Sequence, residues 1–272
     1  MMTYINQTET TSNYKQRYVL PIYLLVIFFI ISNGLASDFF LWQNSLEPLA
    51  ISPVVLLSFL VAGILMYKGE KLSTPYYLLA SLVFLLPTLI PSSLVAWFCL
   101  LCLAISGIYF STENAQKAHY LLLALSLAYI WKSTGIKLAS ATILEFETLI
   151  IFQLISAFFK DASVTGNIIF INQSYSLAIG IGCSALSNLS IVLLGWLSFH
   201  WLSSETAPRY KQIVTIIAMV IILNSLRITL MAVNKEWYYF IHEAEGAEIY
   251  DLLLSLLLIS GLKVKGSKKC IG

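Results

Sequence analysis

Charge is what this chain has least of. Asp, Glu, Lys and Arg make up 11% of its 272 residues, against 58% hydrophobic residues. A soluble domain carries about a quarter charged residues. The shortage, with a mean hydropathy of +0.82, therefore excludes a soluble globular protein and defines a polytopic membrane protein. The net charge of +2 is too small to point to nucleic acid, and none is expected as a partner. Four cysteines, irregularly spaced, exclude a disulfide scaffold. A Gly-rich phosphate loop, a His-Glu-x-x-His zinc motif and a Gly-x-Ser-x-Gly elbow are all missing, so neither a cofactor nor a metal is expected.

What is there is a series of apolar runs, at about 18–36, 48–67, 75–90, 93–110, 119–134, 189–203, 212–233 and 249–262. A bilayer crossing takes about 20 residues. The runs predict an all-α protein of about eight transmembrane helices, one integral membrane domain over 1–272 with no room for a large soluble body. The third and fourth runs, separated by "PSS" at 91–93, read as a tight helical hairpin. Polar breaks such as "YKGEKLSTP" (67–75), "STENAQK" (111–117) and "SSETAPRYK" (203–211) read as loops. A polar leader with Lys15 and Arg17 before a run ending in "GLAS" also fits a cleaved signal peptide, although no soluble body follows it.

Positive residues flanking spans stay in the cytoplasm. With the amino terminus inside and eight spans, Lys15, Arg17, Lys68, Lys71, Lys117, Arg209, Lys211 and the carboxy-terminal lysines fall on that side; Lys132, Lys137, Lys160 and Lys235 fall on the other. The expectation is that both termini are cytoplasmic and segments 135–188 and 234–248 extracytoplasmic. Within the first segment, "KLASATILEFETLIIFQLISAFFKDA" (137–162) reads as a helix that Glu145 and Glu147 interrupt, lying on the interface and not across the membrane. If it did cross, the sidedness of everything after it would reverse. "VTGNIIFINQSYSLAIGI" (164–181) alternates around "NQS" and predicts a short β-hairpin before the sixth span.

Three residues stand out beyond that hairpin. Cys183, in "GIGCSALSNLS" (180–190), comes at the amino-terminal end of the sixth span. Helix amino termini stabilise a thiolate and can hold an oxyanion. Gly180 and Gly182 let a substrate backbone approach, and Ser184, Ser187 and Asn188 offer hydrogen bonds. Arg227, in "ILNSLRITLMA" (222–232), lies within the seventh span, where a charge needs a partner or a wet cavity; Asn224, three residues earlier, is on the same face and suited to orient it. His242, in "WYYFIHEAEGAEIYD" (237–251), follows an aromatic belt just before the last span. A thiol, a cation and an imidazole from three spans converge at one membrane face. They are parts for acyl transfer: the thiolate attacks, the imidazole moves the proton, and the cation balances charge on the carbonyl oxygen.

Each residue taken singly has a bland reading. A cysteine among Gly, Ser and Ala is close-packing material, and a lone interfacial histidine is a satisfied surface residue. Joint placement is what favours a site. "CLLC" (99–102) lies in an apolar run without nearby ligands and reads as a core pair; His119 and His200 sit at cytoplasmic helix ends, and Cys270 is in a basic tail. An alternative from another class is a small transporter or channel, with Arg227 binding an anion and Cys183 lining the path, and a third is a non-catalytic envelope assembly protein. No inverted repeat is visible, and the polar groups gather at one face instead of the midplane, which disfavours a transporter.

"GCSALSNLS" (182–190), "NSLRITLMA" (224–232) and "HEAEG" (242–246) resemble, in that order, the Cys, Asn-x-x-Arg and His-x-x-x-Gly signatures of the exosortase and archaeosortase family. The resemblance runs from about 140 to 260 and takes in "LEFE" and "TGNII". It implies a membrane-embedded cysteine protease or transpeptidase acting on exported proteins that carry a carboxy-terminal motif, a transmembrane helix and a basic tail. It further implies that Cys183 is the nucleophile, Arg227 the essential cation and His242 the acid/base, with Ser184, Asn224 and Gly246 in support. A thioester would be resolved by water or an amine acceptor. The chain departs from the family's usual Ser-Gly after the cysteine, having Ser184 then Ala185, which leaves the sorting motif open. The acidic residues Glu243, Glu245, Glu248 and Asp251 are suited to tune His242 or attract an amine.

Overall fold

A computed structural model describes residues 19–37, 53–69, 74–85, 89–172, 175–203, 207–243, 246, 249–250 and 253–254. Lys15, Arg17, most of the run at 249–262, the acidic residues 245, 248 and 251, and Cys270 lie outside the described residues. The described residues are mainly helical, with one small sheet. Its helices are α1 (Val19–Ser37), α2 (Pro53–Lys68), α3 (Thr74–Leu85), α4 (Ser93–Phe110), α5 (Glu113–Ile130), α6 (Ile136–Ser156), α7 (Ala185–Ser203), α8 (Tyr210–Met231) and α9 (Lys235–Glu243).

Among the described residues, five helical stretches are long and apolar enough to cross a membrane: Val19–Ser37, Ser93–Phe110, Ala115–Ser156, Ala185–Ser203 and Tyr210–Met231. They are apolar outside as well as inside. Leu25 (53% exposed), Ile105 (54%), Leu138 (83%), Phe146 (63%) and Val214 (58%) all point outward. Water would penalise such a surface, whereas hydrocarbon accepts it. The expected eight is not reached among the described residues. The second and third runs form helices of 16 and 12 residues, shorter than a typical crossing, and the last run is described only in fragments.

The break expected after residue 134 is absent. Trp131–Gly135 forms a π turn that leads directly into α6, so Ala115–Ser156 is helical for 42 residues. Residues 136–156 thus continue the preceding helix and do not begin a separate segment. Gly135 keeps helical dihedrals (φ −59, ψ −50), and a Cβ there would lie 2.5 Å from Trp131 Cε3. Its missing side chain gives the indole room, and helical glycine does not break the chain when packing favours it.

The chain divides into two compact units at this π turn, 1–130 and 131–272. In the first, close approach depends on small residues: a Cβ at Gly34 would lie 2.8 Å from Trp97, and one at Gly107 would collide with the His119 ring. Trp97 stacks on Tyr129 at 4.2 Å. Buried Tyr23, Tyr77 and His119 and half-buried Ser111 are linked by hydrogen bonds.

In the second unit three short strands follow α6: β1 (Ser163–Thr165), β2 (Ile168–Asn172) and β3 (Tyr175–Ala178), antiparallel in that order. A three-stranded meander takes the place of the single hairpin read from the sequence. Its extra turn is at Gly166 and Asn167, where Gly166 adopts φ +58, a conformation that suits a two-residue hairpin loop. Ile169, Ile171 and Leu177 are buried in one core with Ile155 of α6, Ile228 and Met231 of α8, and Ile241 of α9. α7 packs on α8 through Val192, Trp196, Ile216 and Val220. That packing fixes the ends of α6, α7, α8 and α9 around residue 183.

Candidate active site

Cys183 closes a 3-10 turn, Ile181–Cys183, between β3 and α7. Its N–H bonds to Gly180 O (3.0 Å) and that of Ser184 to Ile181 O (3.2 Å). Apart from the adjoining residues, no described atom comes within 4 Å of a Cβ built at Gly180 or Gly182, so both glycines face open space. The carbonyl of Cys183 is held by Asn224 Nδ2 at 2.7 Å, and Asn224 Oδ1 accepts from Tyr250 OH at 3.2 Å. Asn224, 1% exposed, therefore tethers the cysteine backbone. Sequence spacing suggested that it orients Arg227, but a shared face only makes neighbours of side chains, and the carbonyl across the interface is the better acceptor for an amide N–H.

His242 reaches the sulfur from α9. Asn234 starts that helix, its Oδ1 accepting from Trp237 N at 2.8 Å, as an N-cap should. Tyr238 and His242 then share a face one turn apart, and their rings stack at 5.1 Å and 10°. Stacking presents His242 Nε2 to Cys183 Sγ at 3.9 Å, a long thiol–imidazole contact. Nδ1 is buried with no partner among the described residues. Gly246 is buried where a Cβ would lie 2.7 Å from Phe240 O and 2.9 Å from Ile241 Cα, so only glycine lets the chain fold back on the end of α9.

Arg227 extends from α8 toward the same helix. Its Nη2 donates to Ile241 O at 3.4 Å, and its guanidinium carbon lies 4.4 Å from the Tyr250 ring centroid. Nε is buried without a partner among the described residues. An unspent donor on a fixed cation is what a developing oxyanion needs.

The amino terminus of α7 departs from expectation. Three donors of its first turn are engaged: Leu186 N bonds to Glu147 Oε1 (3.1 Å), Ser187 N to Ser184 Oγ (3.4 Å) and Asn188 N to Ser184 O (3.4 Å). Ser184 Oγ in turn donates to Glu147 Oε1 at 3.0 Å. Leu186 and Ser187 N–H are thus capped by a carboxylate and a hydroxyl, and Arg227 adds a full positive charge beside the His242 helix. Sequence reasoning missed this role of Glu147. The signal was an acid in the apolar run "LEFETLII", repeating at the spacing that turns Leu144, Glu147, Thr148 and Ile151 inward. Glu147 and Asn224 also line a cleft of about 90 Å3 walled by Phe146, Ile150, Leu186 and Ile221.

On the sheet, Tyr175 OH donates to Met231 O at 2.7 Å. Burial holds its phenol above the usual value, and nearby Tyr238 adds to the rise. His200 lies at the other end of α7 against Trp196, about 22 Å along the helix from Ala185. Cys99 and Cys102 are free thiols on α4. Compared with family models, curated proteins and solved structures, the chain has no match, so the site is read from its own residues and geometry.

Proposed function

We propose that the protein is a membrane-embedded cysteine peptidase or transpeptidase of the exosortase kind. On this reading it has eight spans, both termini in the cytoplasm of a prokaryote, and its site at the outer face of the inner membrane. What carries the reading is the Cys183–His242 contact of 3.9 Å beside an arginine whose Nε has no described partner. His242 Nε2 takes the thiol proton, and the sulfur attacks the scissile carbonyl carbon. Arg227 balances the charge gathering on the carbonyl oxygen. As the C–N bond breaks, His242 returns the proton to the leaving amine, leaving a thioester on Cys183. Water or an amine then attacks that thioester, freeing the thiol and either releasing the protein or transferring it to a new anchor.

The substrates on this reading are exported proteins with a carboxy-terminal motif, a transmembrane helix and a basic tail. Confinement to the bilayer raises the effective concentration of such a motif at the site. The test is mass spectrometry of the carboxy termini of exported membrane proteins, in cells with wild-type protein and with Cys183→Ala at equal expression. A set of proteins that keep their terminal helix only in the variant is the expected result. Unchanged termini would remove the peptidase reading.

A further inference from the structure

The small sheet has two edges, and they are placed differently. β1, β2 and β3 lie in that order, so β1 and β3 each have one side without a strand partner among the described residues. β1 packs against α6. β3 pairs with β2 and leads directly into the Cys183 turn. Beyond Ala178, Ile179 still bonds to Asn167 and Gly180 keeps extended dihedrals (φ −95, ψ 174). Gly180 O then accepts from Cys183 N at 3.0 Å, so the end of the strand is hydrogen-bonded to the cysteine itself.

The ladder shows which main-chain groups of this edge are left over. Ile179 N donates to Asn167 O at 2.8 Å, and Ile179 O accepts from Asn167 Nδ2 at 3.0 Å, so Ile179 turns its groups toward β2. Leu177, opposite Ile169, does so two residues earlier. In an antiparallel ladder the residues in between turn their N–H and C=O the other way. Those residues are Ser176, Ala178 and Gly180, of which only Gly180 O is already engaged. All three are exposed, whereas Leu177 and Ile179 are buried in the core. The row from Ser176 to Gly180 is about 14 Å long at the rise of a strand. Natural sheets blunt such an edge with proline or charge, and residues 175–180 carry neither.

We propose that the free edge of β3 is the docking strand for the peptide to be cleaved: a non-helical substrate segment pairs with Ser176, Ala178 and Gly180 as a fourth strand, which brings its next peptide bond to Cys183. The proposal rests on the peptidase reading and adds how the substrate is held. Main-chain pairing of this kind gives affinity, with side chains left to set specificity. Gly180 and Gly182 face open space and leave room for the incoming backbone. A strand that ends at a sulfur with an imidazole at 3.9 Å fixes the scissile carbonyl in one extended conformation before attack. A helix has spent its main-chain groups internally, so only the stretch flanking a substrate's membrane span can dock.

The test places the photo-cross-linker p-benzoylphenylalanine at position 176, 178 or 165 of the full chain carrying Cys183→Ala, irradiates cells, and maps the linked residues by mass spectrometry. Thr165, exposed on β1, is the control position. The probes at 176 and 178 are expected to capture one segment of the same exported protein, beside its membrane span, at residues two apart, because paired strands advance together. The probe at 165 is expected to miss it. Capture of a second copy of this chain, equal capture from 165, linked residues without the two-residue step, or no capture would each overturn the proposal. With Cys183 in place, Ala178→Pro removes an outward N–H and leaves the ladder to β2 alone, as edge strands tolerate. Its carboxy-terminal processing is expected to fall about tenfold, the upper worth of one hydrogen bond, while Ala178→Val, which keeps the N–H, processes as wild type does. A folded Ala178→Pro variant that processes at the wild-type rate would also overturn it, and the cross-links decide alone if that variant does not fold. Cross-linking needs no cleavage: stepped capture with unchanged carboxy termini keeps the edge and removes the peptidase, and trimmed termini without capture remove the edge alone.

Discussion

A fully buried histidine in the first unit and a half-buried one in the second separate packing from chemistry. In the first, His119 is fully buried. Its Nδ1 lies 2.7 Å from Ala115 O and its Nε2 lies 3.0 Å from Tyr23 OH. A carbonyl only accepts, so Nδ1 carries the proton and Nε2 takes that of Tyr23. Gly107 supplies the space, and Tyr77 closes the group through Ser111 at 2.8 Å. In the second unit, His242 faces a thiol with one nitrogen and no described partner with the other. A ring satisfied on both sides holds helices together. A ring open on one side, set against a sulfur, can move a proton.

Substitutions that treat the two units alike should break this contrast. The largest effect is expected at the thiols: Cys183→Ala abolishes carboxy-terminal processing, while Cys99→Ala and Cys102→Ala leave it intact, read by the same mass spectrometry. Next come the histidines. His242→Gln should slow processing by about 10²–10⁴-fold, the usual worth of a general acid–base, with little change in thermal unfolding in detergent. His119→Leu should do the reverse, destabilising by about 1–3 kcal/mol because Tyr23 loses a buried partner, with the rate per folded molecule retained. Equal losses of rate in both variants would end the distinction.

Glycines sharpen it further. Gly107→Ala drives a methyl into His119 and is expected to destabilise by about 1–3 kcal/mol through overpacking, seen as a lower melting temperature alone. Gly246→Ala pushes against Phe240 and Ile241, the residues beside His242, and should reduce processing more than stability. The smallest effect is at Tyr175, whose folded pKa lies above its ordinary value of 10.0. As pH rises past that value the unfolded chain releases its proton first, so stability falls with pH. Tyr175→Phe, which does not titrate, should lose stability less steeply above pH 10. Parallel melting curves for the two proteins would contradict the burial argument.

Much of the site was legible because membrane chemistry makes anomalies loud. Arg227 in an apolar run, His242 beside an aromatic belt and Cys183 among glycines each stood out, and they lie close together across α7, α8 and α9. Partners were less legible than residues. Asn224 shares a helical face with Arg227, yet it bonds a carbonyl that only tertiary packing brings near. Glu147 looked like an interruption of α6 because hydropathy counts a carboxylate as a cost and has no means of seeing the helix end it caps. The π turn escaped for a similar reason: "WKSTG" has the composition of a loop, and the room at Gly135 for Trp131 is a fact of shape.

The separation of the site's parts along the chain has a consequence for biogenesis. Cys183 and His242 are 59 residues apart, and Tyr250, which steadies Asn224, comes later still. At synthesis rates of about 5–20 residues per second, the cysteine leaves the ribosome about 3–12 s before its histidine. During that interval the thiol has neither its proton acceptor nor its tethered carbonyl. On the proposed function, a chain still being made, or one terminated before residue 242, lacks the thiol–imidazole pair and has no peptidase activity.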